Sequence, residues 1–183
     1  MKKFLLYAVS AVVALVALFL IAAALQPDDF SVERSASLDA PPAALFAEVN
    51  DHRKFMEWNP FTEGDNEVKV TYSGAESGVG AVCSWEGGKS GKGSSTIIES
   101  IPGELVRLRM DWLEPMEGTS TVDFTFNPEG EKTLVTWKMY GPQNFAGKAI
   151  SLVMSTEKMC GPMFEKGLTD LGKEVQQPTP EKQ

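Results

Sequence analysis

The 183-residue chain has one histidine, His52, and two cysteines, Cys83 and Cys160. A single histidine excludes a histidine-rich metal site. The cysteines belong to no CxxC pair or Cys/His cluster, so zinc is not expected, and no cofactor is. Exported domains do form disulfides, but spacing alone leaves Cys83 and Cys160 open between a disulfide and two buried thiols. Positive charge is scarce too: 17 Lys and Arg stand against 25 Asp and Glu, a formal net charge of −8. Such a chain is a poor partner for polyphosphates, which argues against nucleic acid, and an anionic membrane surface does not attract it. The one glycine-rich stretch, "GGKSGKG" at 87–93, lacks the Walker spacing and the strand–loop–helix setting of a phosphate loop, and reads as a hairpin turn.

What the chain does have is a long apolar run. Phe4 to Leu25 contains no charge, proline or glycine. As a helix it would span roughly 33 Å, enough to cross the hydrocarbon core of a bilayer. Lys2 and Lys3 precede it, and Pro27, Asp28 and Asp29 follow. The positive-inside rule then predicts a single-pass protein with a cytoplasmic N-terminus and everything after the anchor outside, in the periplasm if the source is bacterial. The alternative is a cleaved signal peptide, with "AAA" at 22–24 near the cleavage point, but the run exceeds the roughly 7–15 residues of a signal h-region. A soluble core helix is not expected, because the run has no polar face. The predicted organisation is therefore an anchor at 1–26, one domain at 27–176 and a disordered tail at 177–183. Removing Lys2 and Lys3 from the whole-chain −8 leaves −10 on the remainder.

The domain opens with a weakly alternating stretch, 30–38, that reads as a strand. Pro41 and Pro42 suit the first turn of a helix, where a missing N–H costs nothing. A break at Asn50–Asp51 separates that helix from a second short one, "HRKFMEW", stopped before Pro60. Six strand candidates follow, at 67–74, 78–88, 91–103, 104–115, 118–130 and 131–142, each closed by Gly, Pro or Asn. "IPGE" at 101–104 suits a type II turn and "NPEG" at 127–130 a type I turn. Links this short favour an antiparallel meander.

Alternation assigns each strand two faces. Ala81, Cys83, Trp85, Val106, Leu108, Met110 and Trp112 share one face with Val122, Phe124, Phe126, Val135, Trp137 and Met139. Arg107, Arg109, Asp111, Thr121, Asp123, Thr125, Thr136 and Lys138 lie on the other. The apolar face needs a cover. Cys160, Phe164, Leu168, Leu171 and Val175 form a helical stripe that can supply it. Gly161–Pro162 interrupts the pattern, so the regular helix is placed at about 162–176, with a looser piece at 144–156.

This order, and the residues "VERS" at 32–35, "APP" at 40–42, "ND" and "WNPF" within 50–61, "GVGA" at 78–81, "WEG" at 85–87, "TLVTWKMYG" at 133–141 and "GPMFEKGL" at 161–168, resembles the SRPBCC superfamily. That is the START/Bet v 1-like helix-grip fold, and the branch is the polyketide cyclase/dehydrase-like one. The resemblance implies an α+β domain: a seven-stranded curved antiparallel sheet wrapped around a long C-terminal helix, with a cavity between. It also implies apolar ligands such as lipids, sterols or polyketides. Where the branch often carries W-x-x-W-x-P, this chain has Phe55, Trp58 and Pro60. No catalytic motif of the branch can be placed on this sequence.

On that footing Trp58, Phe61, Trp85, Met110, Trp112, Phe124, Trp137, Met139, Met163 and Phe164 are the candidate pocket lining, although each could equally be plain core. His52, set between charged residues at a helix junction, is expected to be exposed and without a chemical role. Glu86, Glu99, Arg107, Arg109, Asp111 and Asp123 fit the outer face or strand ends, so no buried titratable pair is expected and no catalytic residue is assigned. The leading expectation is a membrane-anchored carrier or receptor for an apolar small molecule or lipid. A cyclase, dehydratase or hydrolase would instead need polar groups such as Glu86, His52 or Tyr72 to converge in the cavity. An interaction module would need a closed core and a large exposed apolar patch.

Overall fold

Seven runs with period-two alternation become seven strands, and every link between consecutive strands from the second onward is a short turn. The computed structural model describes residues 2–61, 63, 67–88 and 91–176. The predicted tail at 177–183, and part of the hairpin turn at 87–93, lie outside these described residues. In chain order the elements are α1 (Lys2–Ala24), β1 (Asp29–Leu38), α2 (Pro42–Val49), α3 (His52–Trp58), β2 (Lys69–Gly74), β3 (Ala81–Glu86) and β4 (Lys92–Ile101). They continue with β5 (Leu105–Glu114), β6 (Gly118–Glu129), β7 (Lys132–Pro142), α4 (Phe145–Ser151) and α5 (Thr156–Glu174). The strands form one antiparallel sheet of order β1-β7-β6-β5-β4-β3-β2. The "IPGE" turn is made as expected: Gly103 has φ +72° and the Glu104 N–H donates to the Ile101 carbonyl at 3.0 Å.

Two irregularities bend the sheet. The β4–β5 register slips between Ile97 and Glu99 and again between Lys92 and Gly93. An unmatched residue curves the strand that carries it, and here the curvature wraps the inner face around α5. That face carries the apolar set read from alternation, with Val106, Leu108, Phe124, Phe126 and Val135 all buried. The outer face carries charge: Arg107 binds Asp123 through two nitrogens, at 2.7 and 3.0 Å, and reaches Glu99 at 2.5 Å.

Helix α5 begins earlier than Pro162 suggests, at Thr156. Proline inside a helix removes one donor and crowds the carbonyl four residues back, yet here the helix runs through it. The Ser155 hydroxyl caps the first turn by accepting from the Lys158 N–H at 3.3 Å. Arg34 on β1 then holds Glu157 and Glu165, each at 2.6 Å, one on either side of the proline. Cys160 and Phe164 are both buried, so the helix is pinned to the sheet across the residue that would break it. The looser piece before it is helical only over Phe145–Ser151.

The grip is filled unevenly. At the end where β4 turns into β5 and β6 into β7, α2 and the C-terminal half of α5 pack Leu45, Val49, Phe126, Val135, Leu168 and Leu171 into a continuous core. At the opposite end, where β1 begins and β7 ends, the inner face is not filled. Helix α1 joins β1 at that same end and meets α4 there. Within α1, Leu6–Ala24 is long and apolar enough to cross a membrane; its side chains are mostly exposed, while Ala23 is buried.

Candidate functional site

The unfilled end encloses a cavity of about 410 Å³, within the range of small-molecule pockets. Its walls come from the inner faces of β3 to β7, from α3 and the turn after it, and from the first half of α5. Of the ten residues expected to line a pocket, Trp85, Met110, Trp112, Trp137 and Met139 line it from the sheet. Phe61, Met163 and Phe164 line it from the helical side. Trp58 and Phe124 do not. They stand behind the wall, edge-on to one another with ring centroids 6.2 Å apart, each also against Trp137.

Glycine shapes two walls. A Cβ at Gly93 would lie 2.5 Å from a Trp85 ring carbon and 2.7 Å from the Asp111 carbonyl oxygen, so the bare backbone lets the Trp85 indole lie across β4. Trp85 in turn meets Trp112 edge-on at 5.5 Å. On the other side a Cβ at Gly167 would lie 2.6 Å from Trp137, whose indole fits between α5 and Pro60.

The main departure from expectation is His52. It was predicted to be exposed and is only 2 % exposed, with its ring forming part of the cavity wall. The N-terminus of α3 is fixed by Asp51, whose carboxylate accepts from the Arg53 N–H at 2.8 Å. The helix packs against α2, α5 and β3. His52, Phe55, Met56 and Asn59 then face the cavity together, and their i, i+3, i+4, i+7 spacing is an inward stripe. The spacing was there to be read; the charged neighbours hid it.

The remaining wall residues not expected as lining are Pro60, Glu63 and Ser95, together with Leu108, Val122 and the two cysteines, which the sequence places on inward faces but not in the lining set. Cys83 and Cys160 are free and buried, and burial pushes both thiols up to about 11. Burial also lowers the His52 pKa, and the backbone of Ala81, the Asp51 charge and the backbone of Ser95 only partly oppose it. The ring is therefore neutral at pH 7.

Among the described residues, four buried side chains have polar atoms without a partner at the cavity or just behind it. They are both ring nitrogens of His52, the Ser95 hydroxyl, and the indole nitrogens of Trp58 and Trp137. Among the described lining residues Glu63 alone is charged, and Lys166 holds it at 2.6 Å. Tyr72 and Glu86 do not line the cavity. His52 also borders a second hollow, of about 90 Å³, between α3 and β2, where Arg53 sits over the Tyr72 ring at 4.4 Å.

Residues 29–176 match the model of the family described as polyketide cyclase/dehydrase and lipid transport. The chain belongs to this family. Solved structures agree on the fold. Protein CV1439 from Chromobacterium violaceum superposes with a TM-score of 0.59 at 16 % identity, over 84 % of this chain and 100 % of its own. TTHA0849 from Thermus thermophilus gives 0.55 at 18 % identity, over 80 % and 97 %. Ara h 8.0201 gives 0.53 at 10 % identity, over 81 % and 98 %. No curated protein matches the sequence significantly. The SRPBCC helix-grip assignment made from the motifs therefore stands.

Proposed function

We propose that residues 27–176 form a binding domain that holds an apolar small molecule or lipid between the sheet and α5, and that residues 1–26 tether it to a membrane. The observation that carries this reading is the 410 Å³ cavity lined almost wholly by aromatic, aliphatic and sulfur-containing side chains. Burial of a ligand there is driven by area removed from water, at roughly 25 cal/mol per Å². The family description, which includes lipid transport, is consistent with it.

The position of the cavity supports the tether. The hollow end of the grip is the end at which α1 enters the domain, so a bilayer spanned by Leu6–Ala24 would lie next to the cavity rather than at the packed end. A pocket held there samples membrane-dissolved molecules at high local concentration. Lys2 and Lys3 ahead of the span orient it with the domain on the extracytoplasmic side.

A catalytic reading lacks a supporting constellation. Cyclisation or hydrolysis needs an acid and a base within reach of one another, and among the described residues the one carboxylate that lines the cavity with His52, Glu63, is engaged by Lys166.

The reading is tested by native mass spectrometry and solvent extraction of the full chain purified in lipid nanodiscs. A co-purifying apolar molecule in near-stoichiometric amount is the expected result. A protein that stays empty, and takes up nothing from a panel of lipids and polyketides, would refute it.

A further inference from the structure

Not all of the cavity wall is apolar. At the start of α3, His52 presents two ring nitrogens that neighbour the Ala81 and Ser95 backbone without making a hydrogen bond of good geometry to it, and Ser95 on β4 presents its hydroxyl without a partner. The two residues are 2 % and 6 % exposed. Ser95 is paired across the sheet with Cys83, whose thiol lines the same wall. A buried polar atom left without a partner costs more than its hydrogen bond would return. Two such side chains on one wall of an otherwise apolar chamber are therefore most simply accounted for by a hydrogen-bonding group on whatever fills it.

From the proposed function we go one step further: we propose that the His52–Ser95 wall is a subsite for one uncharged hydroxyl or carbonyl group at the head of an otherwise apolar ligand. Imidazole and hydroxyl each offer a donor and an acceptor, so together they can satisfy a hydroxyl in both its roles, or donate to a carbonyl. A carboxylate or phosphate is disfavoured because no lysine or arginine among the described residues lines the cavity, and an unpaired charge buried there is costly. The one charge among the described lining residues, on Glu63, is already matched by Lys166. The aromatic rings of Trp85 and Trp112 then accommodate the ligand body, with the polar group toward α3 and the middle of β4.

His52 is the only histidine, so ¹⁵N-histidine labelling reports on this wall with one imidazole. The experiment titrates decan-1-ol, decan-2-one, decane and decanoic acid into the full chain in nanodiscs at pH 7.5, following tryptophan fluorescence for occupancy and the imidazole nitrogens for contact. Decan-1-ol and decan-2-one should shift the imidazole signals and bind more tightly than decane. Ser95→Ala and His52→Phe should each weaken the alcohol relative to decane by roughly three- to tenfold, the worth of one hydrogen bond. If decane and decan-1-ol bind equally without moving the imidazole, the subsite is wrong while the cavity reading stands. Tighter binding of decanoic acid than of the alcohol would overturn the uncharged class. If none of the four binds, the cavity reading itself fails and the subsite with it. The imidazole signal is read on the unsubstituted chain, so a variant that does not fold leaves the test intact.

Discussion

The indole of Trp137 lies parallel to the ring of Phe164, 9° between planes and 4.3 Å between centroids. The first ring belongs to β7 and the second to α5, so this stack joins sheet and helix at the boundary between the packed and hollow halves of the grip. Both residues also line the cavity. Aromatic stacking adds about 0.5–1.5 kcal/mol beyond area burial, which makes this contact the point where stability and cavity shape depend on the same atoms.

Phe164→Ala should therefore cost about 3–5 kcal/mol, the range for removing a buried ring. The loss is to be read from the urea midpoint. The same substitution enlarges the cavity, so a longer or bulkier ligand should gain affinity relative to a short one. A loss below about 1 kcal/mol would mean that the ring is not packed as described.

A methyl group at Gly93 tests the cavity wall from the other side. Gly93→Ala places a carbon 2.5 Å from Trp85 and 2.7 Å from a carbonyl oxygen. Since backbone cannot give way easily, the indole should swing into the cavity. The expected outcome is a loss of roughly 1–3 kcal/mol from overpacking, a shifted tryptophan emission, and weakened uptake of apolar ligand. Unchanged emission and uptake would show that Trp85 does not rest on β4.

These contacts also show what the sequence made legible. Alternation was enough to assign the inner face from Ala81 to Met139, because a residue's side of a strand depends only on its parity. The stripe on α5 was legible for the same kind of reason. His52 was misplaced because its neighbours Asp51, Arg53 and Lys54 are charged and the helix is a mere seven residues long; which face turns inward goes with its packing against α2, α5 and β3, which composition does not show. Trp58 and Phe124 could not be told from Trp137 in sequence. Which aromatic rings meet the cavity depends on where the core is full, and that depends on how far α2 and α5 reach along the sheet. The start of α5 was set too late because Pro162 was weighed alone, without the Arg34 bridge from a strand more than a hundred residues earlier.

Proline at position 162 makes a direct prediction. Pro162→Ala restores a helical N–H and relieves the crowding of the Lys158 carbonyl, so it should raise the melting temperature, by an amount equivalent to about 1–3 kcal/mol. Arg34→Met should lower it and should cost more in the Pro162 chain than in the Pro162→Ala chain, because the bridge is needed to carry the helix across the proline. Equal costs in the two backgrounds would remove that role from Arg34.

The buried histidine sets a pH dependence. In the unfolded chain His52 titrates near its ordinary value of 6.5; in the folded protein burial holds it lower. Between those two values the unfolded state binds more protons, so stability falls as pH drops below about 6.5 and levels off beneath the folded value. Above 6.5 the histidine adds no slope. His52→Gln, which cannot titrate, should flatten the stability curve between pH 7 and pH 5, measured by urea unfolding. A slope identical to that of the unsubstituted chain would place the imidazole in water.

The placement of the cavity makes the last prediction. Exposed apolar side chains outside α1 occur toward both ends of the sheet: Val79, Ile98 and Ile101 toward the packed end, and Met116 between β5 and β6 with Phe145, Ile150, Val153 and Met154 on and after α4 at the hollow end. Helix α4 is also the element that α1 meets, and Lys148 on it is buried in an ion pair with Asp28 just after the span. If α1 spans a bilayer, this rim lies at its surface, where apolar side chains are stabilised by the acyl boundary. Val79, equally apolar and exposed, stands at the packed end between β2 and β3 and should remain in water. The two sites can be compared by cysteine substitution, Val153→Cys and Val79→Cys, each labelled with an environment-sensitive fluorophore in nanodiscs. The native thiols are buried and pushed up to about 11, so at pH 7.5 they compete poorly for the label. The label at position 153 should be blue-shifted and quenched by brominated lipid, and the label at 79 should be neither. Quenching at neither position would hold the domain away from the bilayer, and its ligand would then have to cross water to reach the cavity. Quenching at position 79 alone would turn the packed end toward the lipid and reverse the orientation on which the membrane reading rests.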